Sequence, residues 1–357
     1  MTSKQLTKQW VLQNREFYNI RSLLGFRWAI FFILLGGRQA GKSYSVMEQF
    51  IRDYRKRGTR FYWIRLKPKQ VMKLLRNNAE DLIDPDLRRK YHLEDLHRDG
   101  NNVYEVTKRS EPDKDGNTRI LEKKLLATVL SASTFYDDKG VGYFDKDYKG
   151  WYNIGIDEFQ REKNEKNTFD IVYSLVNQLE NIARNTKEKI RIFFLGNTLS
   201  EASDVLCAFN FIPEQFGRYP LKKKRAVIDY IEPSDAYKKM REGSISDILM
   251  PEASTFSNKI DNDYTLINTK RLISPSFIIK FGKTKDLWFT VWDSNVIANY
   301  KGEHKPVIAM KPYIDEVFNV ELRDNVIRNF DFRGYEYKNL ITFKLFQKNI
   351  ELIKPRK

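Results

Sequence analysis

An α/β fold with a mainly parallel sheet is predicted for this chain by three observations. An apolar, strand-forming run at residues 31–35 leads directly into a glycine-rich turn and a helix-forming segment. A second apolar run, at residues 152–156, ends in two consecutive carboxylates, Asp157 and Glu158. Strand-like and helix-like segments alternate around these runs, which is the pattern of parallel strands joined by crossover helices.

The turn after the first strand is the strongest motif of the sequence. It consists of Gly36, Gly37, Arg38, Gln39, Ala40, Gly41, Lys42 and Ser43, a full match to G-x-x-x-x-G-K-[ST]. Glycine N–H groups can wrap a β-phosphate, and the following helix presents its positive end. We expect Lys42 to reach the β- and γ-phosphates and Ser43 to bind Mg²⁺. The strand before the turn and the helix after it favour a P-loop nucleotide site over a glycine-rich turn without a ligand.

Composition limits the class of protein. The chain has 357 residues, 41% of them hydrophobic, which predicts a folded protein long enough for two domains. The single cysteine excludes an intramolecular disulfide and a cysteine-based metal cluster. The N-terminus lacks a signal-type apolar core, and the longest apolar run, residues 28–35, is far below the roughly 20 residues that cross a bilayer. We therefore expect a soluble intracellular protein.

The charge balance indicates a polyanionic partner. The net charge is +16, from 63 basic and 47 acidic side chains. In a chain that also carries a nucleotide motif, this excess favours nucleic acid over a merely soluble basic protein. The basic residues are spread along the chain, so charge alone does not locate the binding surface.

Periodicity and turn signals predict the elements of a first domain at residues 1–205. In order they are a helix at 7–24, strand 28–35, helix 43–57, strand 59–66, helix 68–84, a hairpin of strands 103–106 and 118–130, a polar loop at 131–150, strand 151–156, helix 169–185 and strand 190–195. Phe17 and Tyr18 precede the first strand, where they would either hold an adenine base or seal the bottom of the sheet. The hairpin would either project toward a substrate or be a structural insertion.

After residue 200 the composition changes. Pro213, Gly217, Pro220 and a run of four basic residues, 222–225, predict a linker or lid at 206–230. Residues 231–357 are then expected to form a smaller α+β domain, with short strands at 277–281, 288–292, 307–310 and 341–343 and a hairpin turn at 282–286. Another short strand is predicted at 226–231.

Two polar strand ends complete the predicted chemistry. Asp157 at a strand's carboxyl edge is placed to hold Mg²⁺ together with Ser43, and Glu158 is placed to polarise an attacking water. The separation of more than 100 residues between the loop and these acids calls for an additional strand between their strands. Asn197, after the next strand, is a candidate contact to the γ-phosphate; the alternative is a simple strand-ending turn.

This combination resembles the DNA-packaging ATPases of phi29-like phages. The motifs that carry the resemblance are GGRQAGKS, the strand-ending Arg65, STFYDDKG, IGIDEFQREK, Arg184 and GNT, all within residues 1–200. These enzymes belong to the additional-strand, catalytic-glutamate class of P-loop ring motors, together with terminase large subunits and FtsK/HerA-type translocases. The resemblance implies a homo-oligomeric ring, pentameric in this family, on the portal of an empty prohead in the bacterial cytoplasm. It implies double-stranded DNA and a structural RNA as further partners, and ATP with Mg²⁺ as substrate and cofactor.

The resemblance also assigns roles by position. Lys42 and Ser43 match the phosphate-loop residues, Asp157 the Mg²⁺ ligand and Glu158 the catalytic base. Arg184 lies at the position of the arginine finger that acts in trans, and Lys139 at that of a second trans-acting basic residue. The loop after Lys139 is longer here than in the family. Lysines of the 139–149 loop and the 222–225 run are candidates for sequence-independent contacts to DNA phosphates.

Beyond residue 230 the resemblance is weaker. Terminases carry an RNase H-like nuclease there, with acids that bind two metals. Asp293 lies at a plausible strand end, but no convincing second and third acid accompany it, so we expect a degenerate nuclease fold that contacts nucleic acid or portal. Two alternatives stay open: a terminase large subunit with an active nuclease, and a nucleotide-gated nucleic-acid-binding protein of the capsid without motor activity.

Overall fold

The computed structural model of the protein divides into two compact units. The first comprises Met1–Leu199 and Pro213–Ile260, and the second Ser200–Ile212 and Asp261–Lys357. The structure describes residues 17–114, 116–139, 151–160, 169–183, 189–197, 203–213, 215–244, 248, 275–280, 288–292, 307–310, 323–331, 335–337 and 339–353. The predicted helix at 7–24 lies mostly outside them.

The first unit is built on a nine-stranded sheet in the part of the chain that is described. Its strands are β1 (Phe31–Leu35), β2 (Phe61–Arg65), β3 (Leu96–Asp99), β4 (Asn102–Arg109), β5 (Ile120–Ser131), β6 (Tyr152–Asp157), β7 (Ile190–Gly196), β8 (Gly217–Leu221) and β9 (Ala226–Tyr230). The order across the sheet is β3-β4-β5-β2-β6-β7-β1-β9-β8. The six central strands, from β5 to β9 in this order, run parallel. β7 lies between β1 and β6, which confirms the predicted additional strand.

Helices cover the sheet and complete both units. They are α1 (Lys42–Arg57), α2 (Pro68–Leu74), α3 (Pro85–Tyr91), α4 (Ile171–Ala183), α5 (Asp204–Ala208), α6 (Asp235–Arg241), α7 (Arg323–Asp331) and α8 (Leu340–Ile353). Short 3-10 turns occur at Ile20–Gly25, Asn77–Leu82, Ala132–Thr134 and Lys222–Lys224. Among the described residues, no helix has the length and apolar character needed to cross a membrane.

The core of the first unit is aromatic. Phe32 on β1 stacks on Phe193 of β7, with 4.9 Å between ring centroids. Phe50 of α1 packs edge-on against Phe193 at 5.6 Å and against Trp63 of β2 at 6.2 Å. All four side chains are buried, and burying each contributes roughly 2–3 kcal/mol of hydrophobic free energy. This cluster fixes α1, and with it the phosphate loop, against three strands of the sheet.

Several predicted elements differ in the structure. The predicted helix at 68–84 ends at Leu74, because Asn77, Asn78 and Ala79 all have positive φ. Residues 217–221, which we expected in a linker, form β8, and the strand predicted at 226–231 is confirmed as β9, although it belongs to the first sheet. The physical reason is that the apolar side chains of β9 are buried beside β1, with which β9 pairs in parallel. The first unit therefore extends past the predicted boundary at residue 205.

The second unit contains a four-stranded sheet among its described residues. Its strands are β10 (Pro275–Lys280), β11 (Trp288–Trp292), β12 (Val307–Met310) and β13 (Glu336–Tyr337), in that order. The antiparallel β10–β11 pair confirms the predicted hairpin. The strand predicted at 341–343 is wrong: these residues belong to α8, where the apolar spacing Phe343, Phe346, Ile350 buries one helical face. The relation to a degenerate nuclease stays a prediction.

Gly155 of β6 is a close-packing position and yields a stability test. A Cβ at this residue would lie 2.5 Å from ring atoms of Trp63 on the paired strand β2. We expect Gly155→Ala to lower the free energy of unfolding by about 1–3 kcal/mol, because both strands are held in the core. Thermal unfolding measures this. Gly25→Ala is the control, since a Cβ there meets nothing within 4 Å; equal melting temperatures for the two variants would contradict the packing argument.

Candidate nucleotide-hydrolysis site

The loop between β1 and α1 has the backbone geometry of an anion-binding turn. Gly41 caps α1 in the left-handed region, with φ of +85°. A Cβ at Gly41 would lie 3.0 Å from the Cβ of Phe17, so both conformation and space require glycine. Gly41 has no side chain that could accept hydrogen bonds from the first N–H groups of the 16-residue helix. These N–H groups and the positive end of the helix dipole therefore favour the binding of an anion at the loop.

Lys42 is the first residue of α1 and is only 6% exposed. Its Nζ donates to the carbonyl oxygens of Gly36 at 2.9 Å and Gly37 at 2.6 Å, within the same loop. Burial lowers the pKa of Lys42 to about 8, and the carboxylate of Asp157 partly offsets this effect. A buried ammonium whose hydrogen-bond partners are neutral carbonyls is suited to gain an anionic ligand such as a phosphate.

The candidate metal ligands meet at the carboxyl edge of the sheet. The hydroxyl of Ser43, on α1, donates to Oδ1 of Asp157 at 3.2 Å across 114 positions of sequence. Asp157 ends β6 and is buried, and this burial raises the pKa of its carboxyl group. A buried carboxylate beside a serine hydroxyl supplies the oxygen ligands that Mg²⁺ prefers, and a cation would offset its desolvation. The residues present therefore fit the ion that the motif implies.

Arg65 joins the two acids, a role that we did not predict. It ends β2, which lies next to β6, and its Nη2 is 3.0 Å from Oδ2 of Asp157. Its Nη1 is 2.5 Å from Oε2 of Glu158. The Arg65 side chain is 15% exposed, so the guanidinium forms a largely desolvated fork between two carboxylates. A signal was present in the sequence: Arg65 and Asp157 both end apolar strands, and neighbouring parallel strands bring their carboxyl ends together.

Glu158 is held in an unusual backbone conformation. Its φ is +54°, in the left-handed region that non-glycine residues seldom adopt. Its N–H donates to the carbonyl of Leu195 on β7 at 2.9 Å, while its side chain is about half exposed. Such conformations cost of order 1–3 kcal/mol and cluster at active sites, where surrounding contacts enforce them. The turn after β6 thus directs Glu158 into the cleft beside the loop.

A cleft of about 1130 Å³ contains these groups. Residues 38–43 of the loop line it together with Arg65, Asp157, Glu158 and Asn197. Asn197 directly follows β7 and is half-buried, and its contact to a γ-phosphate stays a prediction. The opposite wall is formed by residues 80–88, in the segment where the predicted helix is interrupted. The sequence did not indicate this wall.

Phe17 and Tyr18 lie beside the candidate site, at the carboxyl edge of the sheet and not at its amino edge. Both line the cleft, and the N–H of Tyr18 donates to the carbonyl of Ala40 at 2.8 Å. The Tyr18 hydroxyl donates to Asp229 of β9 at 2.5 Å, so this ring braces the loop against the sheet. Phe17 is 50% exposed, and its role in holding an adenine base stays a prediction.

Lys139, one of the two basic residues predicted to act in trans, is not among the described residues that line the cleft. Lys139 is exposed, and it follows Asp138, which is buried and accepts a hydrogen bond from Gln178 of α4 at 2.7 Å. This contact attaches Asp138, inside the polar loop predicted at 131–150, to α4. Arg184 and residues 140–150 lie outside the described residues.

Comparison with known proteins gives sequence relatives in two phages. The chain is 24% identical over 284 residues to the DNA packaging protein of Bacillus phage phi29, which covers 77% of this chain and 76% of the relative. The DNA packaging protein of Bacillus phage PZA matches to the same extent. No protein-family model matches the sequence.

Solved structures match the fold across nearly the whole chain. The bacteriophage phi29 viral genome packaging motor assembly superposes with a TM-score of 0.62 at 20% identity, covering 94% of this chain and all of the other. The phi28 gp11 DNA packaging motor gives a TM-score of 0.59 at 13% identity, with 96% and 99% covered. Sequence and fold together confirm the resemblance predicted from the motifs.

The Arg65 fork predicts a specific coupling. Arg65→Gln leaves two adjacent carboxylates without their cation, one of them buried, and we expect a loss of about 3–5 kcal/mol in unfolding free energy without nucleotide. Asp157→Asn should destabilise this variant less than it destabilises the wild type, because the uncompensated charge is then removed. Thermal unfolding at neutral pH measures both. Arg60→Gln, just before the same strand, is the control; strictly additive effects of Arg65→Gln and Asp157→Asn would disprove the coupling.

Proposed function

We propose, from the homology of this chain to the phi29 DNA packaging protein and from the geometry of its cleft, that it is the ATPase of a phage DNA-packaging motor. In this proposal it hydrolyses ATP to ADP and phosphate within a homo-oligomeric ring and moves double-stranded DNA into a preformed prohead. The single observation that carries the proposal is the convergence of Ser43, Asp157, Glu158 and Arg65 beside the phosphate loop. Homology supports the packaging role in general; hydrolysis and ring assembly are the parts to be tested.

The phosphate loop binds the triphosphate in this proposal. The N–H groups of residues 36–43 surround the β-phosphate, and Lys42 exchanges its carbonyl partners for phosphate oxygens, which favours its charged form. Ser43 and Asp157 would hold Mg²⁺, which would supply positive charge to offset that of the triphosphate. The positions of Lys42 and Ser43 at the start of one rigid helix fix the spacing between these contacts.

Glu158 is the proposed general base. It accepts a proton from the water that attacks the γ-phosphorus, and the bond from phosphorus to the β–γ bridging oxygen breaks as ADP leaves. The guanidinium of Arg65, with Nη1 at 2.5 Å from Oε2 of Glu158, orients this carboxylate beside the phosphate loop. Asn197 is proposed to contact the γ-phosphate or its water and to respond to hydrolysis.

Neighbouring subunits would complete the site. Arg184 and Lys139 are proposed to reach the γ-phosphate of an adjacent subunit, which makes hydrolysis depend on assembly. The exposure of Lys139 at the start of its loop, away from the cleft of its own subunit, is compatible with this role. The portal and structural RNA are proposed as further partners on the strength of the family resemblance, with contacts through the second unit.

The assigned roles predict different defects for two variants. Lys42→Ala should lose nucleotide affinity and hydrolysis, because the phosphates lose their buried cation. Glu158→Gln should keep nucleotide binding but hydrolyse ATP about 10²–10⁴-fold more slowly, because the base is removed. Nucleotide binding and DNA-stimulated phosphate release are the measurements. Lys73→Ala and Glu122→Gln, both exposed, are the matched controls; DNA-stimulated hydrolysis that survives in either site variant would refute the assignment.

The proposed trans role of Arg184 predicts complementation. Arg184→Ala alone should reduce hydrolysis on the order of 10³-fold or more. When Arg184→Ala and Glu158→Gln subunits are mixed and assembled on proheads, some interfaces combine an intact cleft with an intact Arg184, so hydrolysis should exceed that of either variant alone. Phosphate release from the mixture measures this, and mixed Lys139→Ala and Glu158→Gln subunits test Lys139 in the same way. A mixture no more active than the average of its components would argue against action in trans.

A further inference from the structure

The amino ends of all six parallel strands lie at one edge of the sheet, opposite the cleft described above. Residues that enter these strands are therefore neighbours in space, although they come from distant parts of the sequence. Six strands at about 4.8 Å spacing make this amino edge about 24 Å wide. It lies entirely within the first unit and has no part in the proposed hydrolysis.

Exposed basic side chains accumulate at one end of this edge. Lys56 and Arg57 lie in the last turn of α1, which leads into β2. Lys124 of β5 is beside them, since its Nζ is 3.2 Å from the position of a Cβ on Gly58. Positive charge in a last helical turn complements the helix dipole, which accounts for Lys56 and Arg57 but not for Lys124.

A second basic group lies at the other end of the same edge. The turn Lys222–Lys224 and Arg225 join β8 to β9, and all four side chains are exposed. The carbonyl oxygen of Arg225 accepts hydrogen bonds from the N–H groups of Ile30 at 2.8 Å and Phe31 at 3.1 Å, which places this turn at the start of β1. Arg27 precedes the same strand and is also exposed.

Lys189 lies between the two groups. It immediately precedes β7, and its carbonyl oxygen accepts from the N–H of Tyr152, the first residue of β6, at 2.7 Å. Its side chain is exposed. The basic side chains thus extend across the width of the parallel sheet. We name this surface the amino-edge basic surface; it comprises Arg27, Lys56, Arg57, Lys124, Lys189, Lys222, Lys223, Lys224 and Arg225.

The nearby carboxylates do not neutralise this surface. Asp53 is paired with Arg191, and Glu105 with Arg55. Glu122 of β5 is exposed beside Lys124. Among the described residues, none of the nine side chains of the surface has a carboxylate within 4.0 Å. Consecutive lysines without counter-charges repel one another, and a polyanion would relieve this repulsion.

We propose that the amino-edge basic surface binds the phosphate backbone of a nucleic-acid duplex, independently of the nucleotide cleft. A duplex of DNA presents one phosphate per about 1.7 Å of helix axis, so an edge about 24 Å wide offers several simultaneous phosphate contacts. The surface consists of flexible lysines and arginines on a rigid sheet edge, which suits sequence-independent and strongly salt-dependent binding. A duplex of RNA carries the same backbone charge, and the test separates the two.

The test uses the full-length chain and charge reversal at each end of the surface. Lys56→Glu/Arg57→Glu and Lys223→Glu/Lys224→Glu are compared with Lys69→Glu/Lys73→Glu, on exposed positions of α2 after the carboxyl end of β2. Each double variant lowers the net charge equally. Fluorescence anisotropy without nucleotide measures the Kd for labelled DNA and RNA duplexes of equal length at several salt concentrations. Melting temperatures close to the wild type establish that the variants fold.

We expect each amino-edge variant to bind duplex about tenfold more weakly and to show a shallower salt dependence, by roughly one unit of slope per lost contact. Weaker binding of DNA alone, of RNA alone or of both supports the proposal, and the duplex whose affinity falls is identified as the ligand. An unchanged Kd in both amino-edge variants, or an equal loss in the α2 variant, overturns the proposal, since the effect would then reflect net charge. The outcome is separate from ATP hydrolysis, so failure of either proposal is distinguishable from failure of the other.

Discussion

A guanidinium fork between two carboxylates is the interaction on which the candidate site depends. Asp157 is buried and Glu158 follows it directly. Without a cation nearby, the two carboxylates would repel each other, and water would solvate them poorly. Arg65 supplies that cation from the neighbouring strand. The candidate site therefore depends on the parallel register of β2 and β6. This register places the last residues of the two strands, Arg65 and Asp157, next to each other.

The parallel sheet also separates charge within the first unit. Its carboxyl ends hold the phosphate loop, the two acids and the wall formed by residues 80–88. Its amino ends hold the basic turn at 222–225 and the basic end of α1. The aromatic cluster around Phe50 packs α1 against the strands that carry both edges, so the candidate nucleotide site and the proposed backbone-binding surface lie on opposite edges of the same sheet.

Elements with a strong local signal agreed with prediction. The strand–loop–helix at the phosphate loop, the β4–β5 hairpin and the β10–β11 hairpin all follow from apolar runs bounded by turn residues. Predictions failed where tertiary packing overrides local preference. Residues 217–221 are the clearest case: in a basic, proline-containing segment they suggested a linker, whereas antiparallel pairing with β9 makes them the last strand of the first sheet. The strand predicted at 341–343 was wrong because a run of three residues, two of them apolar, is too short to distinguish a strand from a helix.

The sequence by itself indicated the candidate phosphate loop and the acids Asp157 and Glu158, because each is a short motif at the end of an apolar strand. The distance of more than 100 residues between the two motifs indicated the additional strand. Only the tertiary structure decided that Arg65 contacts both acids, that Tyr18 braces the loop through Asp229, and that basic residues from distant segments share one edge. The reason is physical. Local preference depends on neighbours in sequence, whereas these contacts depend on which strands pair and in what register, and pairing is set by burial across the whole sheet.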